Sequence, residues 1–219
     1  MLGVIFDLDG TLLDTLEDIV DSANNVLSRM GIEVLSKEKY MEFIGDGVKE
    51  LFRKVLDYRG ITEEDKIQTA VNMMKEEYSK NYLRKTKPYD GIYDVLSYID
   101  NRNYKMAVLS NKQHFFTQEL VKHFFGNFNF IEIIGIENQN DRKPNPRLAM
   151  KIVETMGLDR NKIFFVGDSA TDILTAKNCN VKSIGVTWGF KSIEEILSSN
   201  PDYIVNKPKE IIEILESNI

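Results

Sequence analysis

The chain has 219 residues, 42% of them hydrophobic and 28% charged, with a formal net charge of −6. That length supports one large core, or one domain with a smaller insert, and the acidic balance disfavours nucleic acid or an anionic membrane as partner. Cys179 is the only cysteine, which excludes an intramolecular disulfide and argues against a cysteine-based zinc site.

Gly3-Val4-Ile5-Phe6 is a short apolar run that predicts a buried strand, and it leads straight into Asp7-Leu8-Asp9-Gly10-Thr11. Strands buried on both faces belong to parallel sheets, whose ligands bind outside the carboxyl ends of the strands. Ionised carboxylates at the edge of an apolar core need a cation or a proton to be tolerated. Asp9-Gly10 alone reads equally well as a turn.

From Thr15 to Arg84 the pattern is helical. Leu16, Ile19, Val20, Ala23, Val26, Leu27 and Met30 recur at helical spacing, and Gly31 stops the run. Further helices are predicted over Gly47 to Tyr58 and Glu63 to Leu83. From Tyr89 onward helices and strands alternate. Strands are predicted at Lys105 to Leu109, Phe130 to Ile136, Lys162 to Val166, Ser183 to Thr187 and Tyr203 to Val205. Helices are predicted at Ile92 to Arg102, Phe115 to His123, Asn145 to Met156, Ala170 to Asn178, Ile193 to Ser198 and Pro208 to Glu216. Such alternation implies an α/β fold with a parallel, Rossmann-like sheet. The helical segment, residues 15–86, is then a small domain inserted after the first strand, a cap over a core made of residues 1–14 and 87–219. No stretch reaches transmembrane length, and the N-terminus opens on a core strand, so a cytoplasmic protein is expected.

Three later segments bear on the chemistry. Val108-Leu109 ends in Ser110-Asn111-Lys112, where a hydroxyl and backbone N–H groups can hold a phosphate oxygen, although Ser or Asn there is also an ordinary helix cap. Lys143 is flanked by Pro144 and Pro146, which fix its backbone before a helix. It could neutralise a phosphoryl oxygen or be a surface loop lysine. Phe164-Phe165-Val166-Gly167-Asp168 is a second apolar strand ending in a carboxylate, with Asp172 one helical turn on. A capping-box-like pair accounts for Ser169 and Asp172 but leaves Asp168 unexplained. Clustered carboxylates without His or Cys suit a hard cation bound by oxygen, and Mg²⁺ is the usual partner of phosphate.

Together, Asp7-x-Asp9-Gly10-Thr11, Ser110, Lys143 and Gly167-Asp168-x-x-x-Asp172 resemble the four ordered motifs of the haloacid dehalogenase superfamily, over nearly the whole chain. The branch it resembles is that of the phosphoglycolate phosphatases, through Phe43-Ile44-Gly45-Asp46-Gly47-Val48, Ser110-Asn111-Lys112, Lys143-Pro144-Asn145-Pro146 and Val186-Thr187-Trp188-Gly189. One departure is Cys179-Asn180 where the family has Ala-Gly, and Asn tolerates a left-handed helix cap. The resemblance implies Asp7 as nucleophile, forming an aspartyl-phosphate, and Asp9 as acid and then base. It implies Mg²⁺ held by Asp7, the Asp9 carbonyl, Asp168 and Asp172. Ser110, Lys143, Thr11 and backbone N–H groups near Asn111 would hold the phosphate, and the cap loop Gly45, Asp46 and Gly47 would choose the substrate.

The implied activity is hydrolysis of a small phosphorylated metabolite by a monomer or homodimer. Alternatives are a pyrophosphatase, a β-phosphoglucomutase-like phosphotransferase, which Thr11 disfavours, a dehalogenase, which Asp9 disfavours, and a non-catalytic phosphate-binding regulator. Trp188 is expected to pack, and His114 and His123 to take no part in catalysis.

Overall fold

The computed structural model describes residues 1–219. They form two units, Met1–Leu13 with Pro88–Ile219, and Asp14–Lys87. In chain order, β1 (Gly3–Phe6) and β2 (Leu13–Asp14) precede four helices, α1 (Leu16–Arg29), α2 (Lys37–Phe43), α3 (Gly47–Tyr58) and α4 (Glu64–Asn81). Then come β3 (Lys87–Pro88), α5 (Ile92–Asn101), β4 (Lys105–Gln113), α6 (His114–Phe125), β5 (Phe130–Ile136) and α7 (Arg147–Met156). The chain ends with β6 (Ile163–Gly167), α8 (Ala170–Asn178), β7 (Lys182–Val186), α9 (Ile193–Ser198), β8 (Tyr203–Val205) and α10 (Lys209–Glu216).

In the first unit a six-stranded sheet runs in the order β5-β4-β1-β6-β7-β8, and its strands pair in parallel. β1 is central, with Val4 level with Met106 on one side and Phe164 on the other. Every residue of β1 and β6 is buried, which is why both read as unbroken apolar runs rather than alternating ones. Ile5, Ala107 and Phe165 join Ala149, Ile152, Val153 and Met156 of α7 in one apolar cluster with Ala176 and Cys179. The chain lays β4 and β5 on one side of β1, then returns to place β6, β7 and β8 on the other. The direction switches at β1, so the carboxyl ends of β4, β1 and β6 are neighbours, the position where an open α/β sheet holds its ligand. The chain is thus an α/β protein with a Rossmann-like parallel sheet, as its alternating pattern predicts.

The second unit is helical. Ile19, Val20, Ala23, Val26 and Leu27 of α1 are buried, as are Leu51, Phe52, Val55 and Leu56 of α3 and Ile67, Ala70, Met74 and Tyr78 of α4. Asn24 ties α1 to the segment before α2. Its Oδ1 accepts from the Leu35 N–H at 3.0 Å and the Tyr40 hydroxyl at 2.9 Å, and its Nδ2 donates to the Leu35 carbonyl. Asp18 is also buried, and its carboxylate accepts from the backbone N–H groups of Lys85 and Thr86 and from the Thr86 hydroxyl. A two-stranded ribbon pairs β2 with β3. The unit boundaries fall inside these two strands.

Three differences from the predicted elements have physical causes. α2 is absent from the sequence reading because it is seven residues long and buries only Tyr40, so it shows no apolar period. β4 continues four residues past Leu109, through a segment where its register with β5 shifts, and polar Ser-Asn-Lys-Gln carries no strand signal. In α4 Ala70 rather than Val71 takes the buried place. Asn180 does adopt the left-handed conformation predicted for it, at φ 53°. No helix is long and apolar enough to cross a membrane.

Candidate active site

Asp7 directly follows β1, and its N–H still donates to the Val166 carbonyl, so the side chain is set at the sheet edge by the strand ladder itself. The chain then folds back on itself. The Leu12 and Leu13 N–H groups both donate to the Leu8 carbonyl at 3.0 Å, and Gly10 takes a φ of 82°. A side chain on Gly10 would meet Asp168 Oδ2 at 2.3 Å, so this turn admits no other residue without displacing that carboxylate. Asp168 follows β6 in the same way that Asp7 follows β1. Its Oδ2 accepts from the Phe190 N–H at 2.7 Å, and Gly189 lies against its Cβ.

Lys143 reaches this edge from the loop before α7. Its ammonium stands 2.8 Å from Asp7 Oδ1 and 2.6 Å from Asp172 Oδ1, and the side chain is 3% exposed. Asp172 Oδ2 accepts from the Ser169 N–H and hydroxyl, so the predicted pairing of Ser169 with Asp172 exists alongside the lysine contact. Asn111 holds Lys143 by its backbone: Oδ1 accepts from the Lys143 N–H at 2.8 Å and Nδ2 donates to its carbonyl at 3.3 Å. The Asn111 side chain therefore serves the lysine. Ser110 is buried at the same edge, and its Oγ accepts from the Lys112 N–H. Thr11 is fully buried, its Oγ1 has no hydrogen-bond partner, and its carbonyl accepts from the indole N–H of Trp188 at 3.1 Å.

Two residues missing from the predicted site contact its members. Trp188, expected only to pack, fastens the loop after β7 to the turn after β1. Lys112 places its ammonium 3.0 and 3.1 Å from the two oxygens of Asp9. His114 lies outside the cluster, and its Nδ1 accepts from the Gly135 N–H. Gly45, Asp46 and Gly47 lie in the helical unit, at the turn between α2 and α3, where Asp46 pairs with Lys54 at 2.7 Å.

Burial dominates the electrostatics. It pushes the Asp7 carboxyl up to about 7. Lys143 opposes that rise, while Asp172 and Asp9 add to it. Asp168 is held well above the ordinary carboxylate range by burial, then by Asp172 and Asp7. For Lys143 burial works against the charge, but Asp172 and Asp7 outweigh it and hold the ammonium above its usual range. Asp7, Asp168 and Asp172 bring ligand atoms within 4.8 Å of one another. Four carboxylates, Asp7, Asp9, Asp168 and Asp172, meet two ammonium groups, Lys112 and Lys143, leaving two negative charges in excess when all are ionised. An oxygen-only donor set with that excess, buried enough to disfavour its own ionisation, fits one hard divalent cation.

The model of the haloacid dehalogenase-like hydrolase family matches residues 4–186. The chain is 30% identical to a phosphoglycolate phosphatase of Aquifex aeolicus, covering all of this chain and 99% of that one. It is 28% identical to a 5′-nucleotidase of Pseudomonas aeruginosa, over 99% of this chain and 96% of the other. Among solved structures, a predicted phosphoglycolate phosphatase from Haemophilus somnus superimposes with a TM-score of 0.89 at 27% identity, covering 96% of each chain. The four segments that converge on this sheet edge are the ones whose order along the chain resembles that family, and the chain belongs to the haloacid dehalogenase-like hydrolases.

Proposed function

We propose that this phosphatase hydrolyses a small phosphomonoester of the phosphoglycolate type through a phosphorylated Asp7. The observation that carries the reading is the pair of carboxylates at the end of β1, each with a lysine ammonium within 3.0 Å of an oxygen. Relatives named phosphoglycolate phosphatase, matched end to end, support the substrate class.

In the first half-reaction an Asp7 oxygen attacks phosphorus, the bond to the leaving oxygen breaks, and protonated Asp9 gives that oxygen its proton. In the second, Asp9 as carboxylate takes a proton from water as the water oxygen attacks phosphorus, which returns Asp7 and releases inorganic phosphate. Lys143, Ser110 and backbone N–H groups near Asn111 stabilise the equatorial oxygens as charge redistributes. Thr11, whose hydroxyl has no protein partner, joins them. Asp7, Asp168, the Asp9 carbonyl and, through a water or by orienting the others, Asp172 would hold Mg²⁺, which supplies charge neutralisation between nucleophile and phosphate. Gly45, Asp46 and Gly47 of the helical unit would choose the substrate, since a turn with two glycines can bring its backbone close to a small polar ligand.

The test is phosphate release with Mg²⁺ from 2-phosphoglycolate, pyrophosphate, β-glucose 1-phosphate, a nucleoside 5′-monophosphate and several sugar phosphates. 2-Phosphoglycolate is expected to lead in kcat/KM. A lead by pyrophosphate, or conversion of glucose 1-phosphate to its isomer, would replace the reading with a pyrophosphatase or a mutase.

Cation binding gives an independent check. A carboxyl held near 7 and another held well above the usual range keep protons in the metal-free site at neutral pH. A cation binds the deprotonated forms, so loading must expel those protons, and affinity falls as pH drops below 7. Titrating Mg²⁺ into metal-free protein at pH 7 is expected to release protons, read as a heat that changes with the ionisation enthalpy of the buffer. A buffer-independent heat counts against these ligands.

A further inference from the structure

We propose that Lys112 is the positioning residue for Asp9, and that its main effect falls on the second half-reaction, the hydrolysis of phosphorylated Asp7. The inference rests on the two-step reading above and assigns a task to a residue that this reading leaves idle.

Asp9 carries the harder geometric assignment of the two carboxylates after β1. It must meet a leaving oxygen and later a water at nearly the same place. Its side chain is 17% exposed and sits on a turn rather than in a strand, so its aim depends on side-chain contacts. The Lys112 ammonium supplies one that bears on both oxygens, at 3.0 and 3.1 Å. A charge seated centrally over the two oxygens holds the carboxylate group in place as a point charge.

Lys112 is itself well placed to act as a fixed strut. Its side chain is 8% exposed. Its N–H donates to Ser110 Oγ at 3.3 Å, and its carbonyl accepts from the Thr117 hydroxyl at 3.4 Å. The lysine thus links the hydroxyl proposed to hold the phosphate with the carboxylate proposed to move the proton. A buried ion pair is weak evidence of stability alone, because desolvating both charges offsets most of their attraction. A positional role explains the placement of this pair better than a purely stabilising one.

The two halves of the reaction use Asp9 in different forms. The first begins with Asp9 protonated and ends with it as carboxylate. The second begins with the carboxylate, the form an ammonium clasps. Without Lys112 the carboxylate left by the first half is no longer aimed at the incoming water, so hydrolysis of the phosphoenzyme slows more than its formation.

The experiment uses the Mg²⁺-loaded protein and 4-nitrophenyl phosphate. That leaving group departs without a proton, so Asp9 is needed only in the second half. For Lys112→Met, kcat is expected to fall about 10- to 100-fold, with KM falling alongside it, so that kcat/KM changes little. A burst of nitrophenolate approaching one per active site should precede the slow steady state, and acid-quenched protein should carry a phosphoryl group. Lys112→Arg, which restores two donors in a fork, should recover most of kcat and remove the burst. In an Asp9→Asn background, where no carboxylate is left without a counter-charge, adding Lys112→Met should cost no further activity.

Equal loss of kcat and kcat/KM without a burst overturns the proposal, and so does a rise in KM alone, which would make Lys112 a substrate contact. Further loss in the Asp9→Asn background overturns it as well. If acid-quenched wild-type protein carries a phosphoryl group that Asp7→Asn lacks, the two-step reading stands whatever Lys112 does. If it never carries one, both fall.

Discussion

Asp7→Asn is expected to lower kcat by at least about four decades and to abolish the phosphoenzyme. An amide cannot open the covalent route, and what remains is binding and orientation by the other residues. The fold should survive the change. The Asp7 N–H pairs with the Val166 carbonyl regardless of side chain, and β1 is bordered on both sides by β4 and β6. Moreover, burial disfavours the charge that the substitution removes. Circular dichroism and a melting curve establish that the variant is folded, and rapid acid quench with mass analysis looks for the added phosphoryl group. Turnover retained within tenfold, or a phosphoryl group still found on the variant, would move the nucleophile elsewhere.

Lys143→Met is the second large effect, with kcat expected to fall by about two to four decades. Two losses combine. One is the preorganised charge facing the equatorial oxygens. The other concerns Asp7 itself: the ammonium at 2.8 Å pulls the Asp7 carboxyl down against burial, so without it Asp7 keeps its proton to higher pH and is a poorer nucleophile near neutrality. The sign follows directly. Because Mg²⁺ loading expels the Asp7 proton, the shift is read in the metal-free variant, which should need a higher pH than wild type to reach half-loading at the same Mg²⁺ concentration. A change in KM alone, with the pH of half-loading unmoved, would reduce Lys143 to a binding residue.

Much of this arrangement was legible in the sequence, and what was not has a physical explanation. β5, α3, α8 and α9 lie where period and punctuation place them: α3 buries Leu51, Phe52, Val55 and Leu56 on one face, and α8 and α9 each open on a serine cap, Ser169 and Ser192. Asp7 and Asp168 could be found because each follows an apolar strand with no other reason to end in a carboxylate. Lys112 could not be found the same way. Its partner lies 103 residues away in the chain, and nothing local distinguishes a lysine bound to a carboxylate from one facing water. Asn111 was legible as a member of a motif, but its grip on the Lys143 backbone depends on how two loops meet. Trp188 is the clearest case of chemistry hidden by type. Its ring is apolar enough to be assigned to packing, and only the position of its N–H against the Thr11 carbonyl gives it a second task.

The central place of β1 also sets an order of events during synthesis. The helical unit, Asp14–Lys87, is one unbroken stretch of chain, so its helices can pack on one another as soon as they have been made. β1 cannot. Made before that unit, it waits for β4 on one side and β6 on the other, and Asp168 is not translated until β6 is complete. Asp7 is therefore translated well before Lys143 and Asp168, the residues that come to surround it. Until then Val4, Ile5 and Phe6 form an apolar strand with two open edges, the kind of segment a growing chain must shield from its neighbours.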